Sequence, residues 1–168
     1  MDYLPCQRRA GGLVLITTLV LLLILMLLGI SGTQTMMLQT RMTTNLHQMH
    51  QAFQAAEAAL RDGEQHINQF IDTQTVFSAT CHLGLCASTA LSDTPWNSNL
   101  INWLSGENTI MYGSQTGQLA FPVTTPQPRY IIERLPAADN AVEWYRVTAV
   151  SYNAQGEIQH ILQSTYLQ

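Results

Sequence analysis

The chain has 168 residues, of which 46% are hydrophobic and only 11% charged, less than half the roughly 25% of an ordinary soluble domain. Its seven basic residues are all arginines, at positions 8, 9, 41, 61, 129, 134 and 146, against eleven acids for a net charge of −4. The length excludes a large multidomain enzyme, and with no basic face to neutralise phosphates, direct nucleic-acid binding is not expected.

From Leu13 to Ile30, 15 of 18 residues are apolar, the exceptions being Thr17, Thr18 and Gly29. Eighteen residues at ~1.5 Å rise make about 27 Å of helix, close to the roughly 30 Å hydrocarbon core of a bilayer, which predicts a single span. Arg8 and Arg9 precede it and the next basic residue is Arg41. The positive-inside bias then keeps the N-terminus cytoplasmic and sends the rest across the membrane. A secretory signal peptide is the competing reading, but its apolar stretch is usually ~7–15 residues followed by a small-residue cleavage site. Ser31 and Gly32 serve that role weakly, and the helical pattern continues well past them.

Beyond the span, apolar side chains recur at Met42, Leu46, Met49, Phe53, Ala56, Leu60, Ile67 and Ile71, at the three-and-four spacing of a helical stripe. Gly63 is a candidate helix end, although the stripe resumes after it. The opposite face is the informative one: between Arg9 and Glu57 the only charge in 47 residues is Arg41. A lone helix leaving a membrane for water should carry charges on its free face. Their absence fits a helix that packs against other helices on several sides, where unpaired charges are costly to bury; a neutral Thr/Gln-rich linker helix is the plain alternative. Arg61, Asp62 and Glu64 are read as a solvated face, with intersubunit contacts as the rival.

Of three cysteines, Cys6 precedes the span, and Cys81 and Cys86 follow it in Cys-His-Leu-Gly-Leu-Cys. An even exported pair in an oxidising compartment predicts a disulfide. The rival, a metal site of Cys81, His82 and Cys86, lacks a fourth ligand at a recognisable spacing. Residues 72–128 are rich in Ser, Thr, Asn, Gly and Pro, with Trp96, Trp103 and Tyr112 as anchors; a helical turn at 100–104 and a strand at 119–123 are expected. Three clearer strands follow at 130–135, 144–152 and 158–166, joined by Ala137-Ala-Asp-Asn140 and Asn153-Ala-Gln-Gly156. Short turns make these an antiparallel meander. The face bearing Tyr145, Val147 and Ala149 is expected to pack on the helix stripe from Phe53 to Ile71.

Catalytic chemistry finds no support. His47 and His50 share a helix face without a nearby carboxylate, Gly113-Ser-Gln-Thr-Gly117 reads as a loop, and Glu133 and Glu143 have no assignable partner. No catalytic residue, metal or cofactor is expected.

Arg8-Arg-Ala-Gly-Gly12 before an apolar helix is similar to the type III signal of type IV pilins. Leu27-Leu-Gly29, Arg41-Met42, Asn45-Leu46 and, above all, Phe53-Gln-Ala-Ala-Glu57-Ala-Ala-Leu-Arg-Asp-Gly-Glu64 resemble the N-terminal region of PilX-type minor pilins. Arg129-Tyr-Ile-Ile-Glu133, Tyr145-Arg-Val-Thr-Ala149 and Leu162-Gln-Ser-Thr-Tyr166 resemble that family near the C-terminus. The resemblance implies an α+β, type IV pilin-like fold: a long N-terminal helix, membrane-spanning in its first half, packed on a C-terminal antiparallel β-sheet.

The same resemblance implies a leader at 1–12 cut by a prepilin peptidase between Gly12 and Leu13, with Gly11 the poorer alternative, and methylation of the new N-terminus. A helix over 13–71 and an exported globular part over 72–168 would follow. Arg41, Leu46, Met49, Phe53, Glu57 and Leu60 would belong to the assembly helix. Most pilins carry glutamate at the fifth mature position, where this chain has Thr17. The implied role is to prime pilus assembly in a tip complex, supporting twitching motility, adhesion or DNA uptake. The implied partners are other minor pilins, the major pilin, a PilY-type tip adhesin and the inner-membrane assembly platform. The chain would sit in the inner membrane and then at the extracellular pilus tip. A minor pseudopilin of type II secretion and a single-pass periplasmic sensor that never assembles are the alternatives.

Overall fold

The computed structural model describes residues 11–72, 74–88, 95–97, 101–122, 126–136 and 143–168, without the side chains of 11, 31–34 and 95. Cys6, Arg8, Arg9, most of the expected leader, the turn at 137–140, Leu100 and Val123 lie outside them. One α-helix, α1, runs Gly11–Phe70. Contacts divide the chain into two units, up to Leu46 and from His47 onward.

In the first unit α1 carries the apolar run. Leu13 to Leu28 is solvent-exposed throughout, and so are Met36, Met37, Leu38 and Met42. No described residue covers them, and a helix apolar all round is characteristic of a membrane span or a buried core. Gly29 and Gly32 are held inside α1, although each glycine costs a helix roughly 1 kcal/mol relative to alanine.

In the second unit α1 packs on a mixed sheet. Strands β1 (Leu85–Ala87), β2 (Ile110–Met111), β3 (Arg129–Leu135), β4 (Trp144–Tyr152) and β5 (Ile158–Leu167) form it. The expected meander is present: β3 and β4 pair antiparallel with Glu133 opposite Arg146, and β4 and β5 pair with Tyr145 opposite Tyr166. Asn153 and Gly156 make the β4–β5 turn, where Gly156 takes a φ of 82° and its N–H donates to the Asn153 carbonyl at 3.0 Å. On the far side of β3 the sheet departs from a pure antiparallel arrangement. The short β1 runs parallel to β3, Cys86 opposite Glu133, and β2 pairs antiparallel beside it, Ile110 opposite Tyr130.

Both sheet faces are covered around β3 and β4. Towards α1, Tyr130, Ile132, Tyr145, Val147 and Ala149 pack with Ala59, Ile67, Ile71 and Phe77. On the reverse, Ile131, Val150 and Tyr152 pack with Cys81, Cys86, Ile101 and Trp103. The stripe expected to meet the sheet does so through Ala56, Ile67 and Ile71, which are buried, and Leu60, which is partly buried, but its large residue Phe53 stays at the margin and further small residues complete the contact. Phe53 remains 43% exposed and Met49 48%, while Ala52, Ala55, Ala56 and Ala59 are buried. Small side chains let the backbones approach, and the closest point is Gly63, where an added Cβ would lie 2.5 Å from Val147 Cγ1 and 3.1 Å from Tyr130 Cδ2. Gly63 is therefore the contact point of helix and sheet, and it lies inside α1 instead of ending it.

Two local expectations are corrected. Residues 101–104 form no helical turn; Asn102 to Ser105 is a reverse turn, with Leu104 N–H donating to Asn102 Oδ1 at 3.1 Å and Ser105 N–H to the Asn102 carbonyl at 3.0 Å. Residues 119–121 form no strand, because the Gln127 side chain takes both backbone groups of Phe121, accepting at 2.7 Å and donating at 3.0 Å. A side-chain amide thus substitutes for a neighbouring strand.

Candidate functional site

The residues singled out from sequence fall into two settings. Leu13, Leu46, Met49 and Phe53 lie on exposed helix, 71%, 58%, 48% and 43% accessible. Gly12 has open space around its Cα. Thr17 Oγ1 donates to the Val14 carbonyl at 2.9 Å, so its hydroxyl is satisfied within its own helix and carries no charge into an apolar setting. Arg41 is exposed, the one cation along an otherwise uncharged stretch. Glu57 pairs with Arg61 at 2.5 Å across one helical turn in a solvated position, and Leu60 is partly buried against the main core. The structure brings none of these together into a pocket for chemistry.

Cys81 and Cys86 form a disulfide. Both are fully buried in the reverse-face core beside Trp103, and Trp103 is itself held by its carbonyl, which accepts from the Tyr152 hydroxyl. Burial pushes the Tyr152 hydroxyl up to about 12, partly countered by Arg129, so at neutral pH it stays a donor. Among the described residues no group of three His, Cys, Asp or Glu side chains is placed to hold a metal; His47 is engaged with Gln51 Nε2 at 2.9 Å.

The groups that sequence reading missed are buried and polar. Asp62, read as a solvated helix residue, is only 2% exposed. Its carboxylate accepts from Gly113 N–H at 2.8 Å and from the Thr116 hydroxyl, tying the loop at Gly113 to Gly117 onto α1. His66 and Tyr130 share a hydrogen bond of 3.0 Å. Burial drives the His66 pKa below its ordinary value, opposed by the Asp62 charge, and burial and then Asp62 raise that of Tyr130. Glu133, which had no assignable partner, is fully buried and receives Arg146 Nε at 2.8 Å and Nη2 at 3.1 Å. Such forked pairing is the strong form of a charge-assisted bond. Glu143 accepts from the Tyr145 hydroxyl. A signal was available for the helix–sheet contact instead: the small residues Ala52, Ala55, Ala56, Ala59 and Gly63 recur at helical spacing, as a close backbone approach requires.

A long helical surface with one charge, exposed among the described residues, is suited to assembly. Comparison with known families agrees. The family model described as PilX N-terminal matches residues 11–61, and that described as Type IV pilus assembly protein PilX C-term matches residues 82–168. No curated protein and no solved structure matches the chain.

Proposed function

The chain belongs to the PilX family of type IV pilus minor pilins, structural components anchored by an N-terminal apolar helix, and on that premise we propose that it primes pilus assembly as a scarce subunit of a tip complex. The observation that carries this reading is Thr17. With the cut between Gly12 and Leu13, Thr17 is the fifth mature residue. A carboxylate there would neutralise the buried N-terminal amine of a neighbouring subunit, and a buried amine without a partner is strongly unfavourable. A subunit with a neutral hydroxyl at that position incorporates poorly along a filament and is tolerated at its end.

In this account Leu13 to Ile30 holds the subunit in the inner membrane, N-terminus cytoplasmic and sheet unit periplasmic. Extraction into the filament then buries the uncharged surface to about Met49 among neighbouring helices. Other minor pilins, the major pilin, a PilY-type adhesin and the assembly platform are the partners, and twitching, adhesion or DNA uptake the processes served. Quantifying the subunit in sheared filaments tests the reading. Wild type should be far below stoichiometric, and Thr17→Glu should raise its copy number or spread it along the shaft. Unchanged stoichiometry and position in the variant would count against it.

A further inference from the structure

The outer edge of β5 is an unspent binding element. Strand order places β5 last, and among the described residues no strand pairs with its far side. It is ten residues long, and from Ile158 to Gln168 it contains no Asp, Glu, Lys, Arg or Pro. Proteins ordinarily blunt such an edge with charge, proline, a bulge or brevity, because its free N–H and C=O groups template pairing with another chain. The one register shift in the β4–β5 ladder lies at Ser151/Tyr152, against the start of β5, and leaves the remainder regular.

The face of β5 turned away from α1 is also exposed among the described residues. Among the described residues the cysteine-bearing layer packs on β3 and β4 and reaches β5 only at Ile158, which lines one cavity with Trp103 and Leu104; Ile158 and Ile161 are each 41% exposed and Leu167 54%, with Trp144 beside Leu167 at 45%. Both ends of the strand are held. Gln168 and Glu143 exchange backbone hydrogen bonds at 3.1 and 3.2 Å, and Asn153 N–H donates to the Glu157 carbonyl at 2.9 Å. A strand kept extended before binding lowers the ordering cost of pairing.

Resting on the minor-pilin reading, we propose that β5 is a strand-addition site that receives an extended, uncharged segment of a different polypeptide, with apolar side chains on the face that meets Ile161 and Leu167. The geometry argues against antiparallel pairing with a second copy. Phe53 stands edge-on to His160 with ring centroids 5.9 Å apart, and Tyr166 Oη donates to Asn68 Oδ1 at 2.5 Å. The segment 53–68 therefore runs alongside β5 in the same direction. Antiparallel pairing of two β5 strands about a two-fold axis would turn one such helix segment end for end relative to the other. Subunits inserted with one polarity do not meet that way. A charged partner segment is disfavoured equally, since β5 offers no counter-charge and burial of a lone charge is costly.

Hydrogen exchange on the full chain tests this. Amides of 158–168 are compared between the purified chain in detergent micelles and the chain in sheared filaments, with Gln163 replaced by a photo-crosslinking residue in a parallel sample. The expected result is at least tenfold slower exchange of β5 in filaments, and crosslinks to an extended segment of another polypeptide. Ile161→Lys and Thr165→Lys should leave the melting temperature of the purified chain unchanged while cutting its incorporation at least tenfold. Unprotected β5 in a chain that is present in filaments, wild-type incorporation of the lysine variants, or crosslinks only between copies of this chain would each overturn the proposal. Absence of the chain from filaments would instead overturn the pilus reading itself, and this one with it.

Discussion

Gly63 sits so close to Val147 that a single added carbon would come within 2.5 Å of the valine Cγ1. Both residues are buried, and Val147 belongs to the main core, so neither backbone has room to move aside. Gly63→Ala gains about 1 kcal/mol of helix propensity but must force a shift in a packed interior, at a cost of about 1–3 kcal/mol. The expected net is a destabilisation of up to about 2 kcal/mol for alanine and more for leucine. Urea unfolding of the full chain in micelles measures it, and Val147→Ala should restore part of the loss in the double variant. An alanine variant more stable than wild type would show that the contact is loose.

Glu133 and Arg146 cross β3 and β4 on the reverse face, and Thr148 extends the network by accepting from Gln163 Nε2 at 2.9 Å. Removing one partner leaves the other charge buried, so Arg146→Met should cost about 3–5 kcal/mol. Removing both charges, as in the Glu133→Gln and Arg146→Met pair, should recover most of it. The double-mutant cycle separates the value of the pair from the penalty of an orphaned charge.

His66 makes stability dependent on pH. Its folded pKa is lowered, chiefly by burial, so below about 6.5, the ordinary histidine value, the unfolded chain binds a proton that the folded chain refuses. Proton uptake by the unfolded state means that this contribution is complete above that pH and is lost as pH falls. Melting temperatures between pH 8 and 5 should drop more steeply for wild type than for His66→Gln. Parallel curves would remove His66 from the account.

The disulfide closes a loop of six residues, worth roughly 2 kcal/mol by chain entropy. Cys81→Ser with Cys86→Ser should lower stability by about that amount, with a further loss where Trp103 and Val150 pack against the sulfurs. Unfolding under oxidising and reducing conditions should converge for the variant and differ for wild type.

What sequence made legible follows from the range of the forces involved. The long apolar helix and the three long strands depend on local periodicity, and each is present, with 144–152 matched at both ends. The helix face that packs on the sheet was legible in Ala56, Leu60, Ile67 and Ile71, but Phe53 stays 43% exposed and the alanines at 52, 55 and 59 that widen the contact carry no large apolar side chain to mark them. Strand β1 and the anchoring of Gly113 by Asp62 depend on partners far along the chain, 51 residues apart in the second case, and no local pattern encodes them. The charge deficit was the most useful single signal, since it marked a surface whose burial the isolated chain does not supply.

Intact-mass measurement of the chain recovered from sheared filaments tests the central claim most directly, with cells lacking prepilin peptidase as the comparison. The account predicts a mature chain beginning at Leu13 in filaments and an unprocessed, membrane-retained chain beginning at Met1 without the peptidase. An intact Met1 in peptidase-competent cells, or a chain that never leaves the membrane fraction, would contradict it.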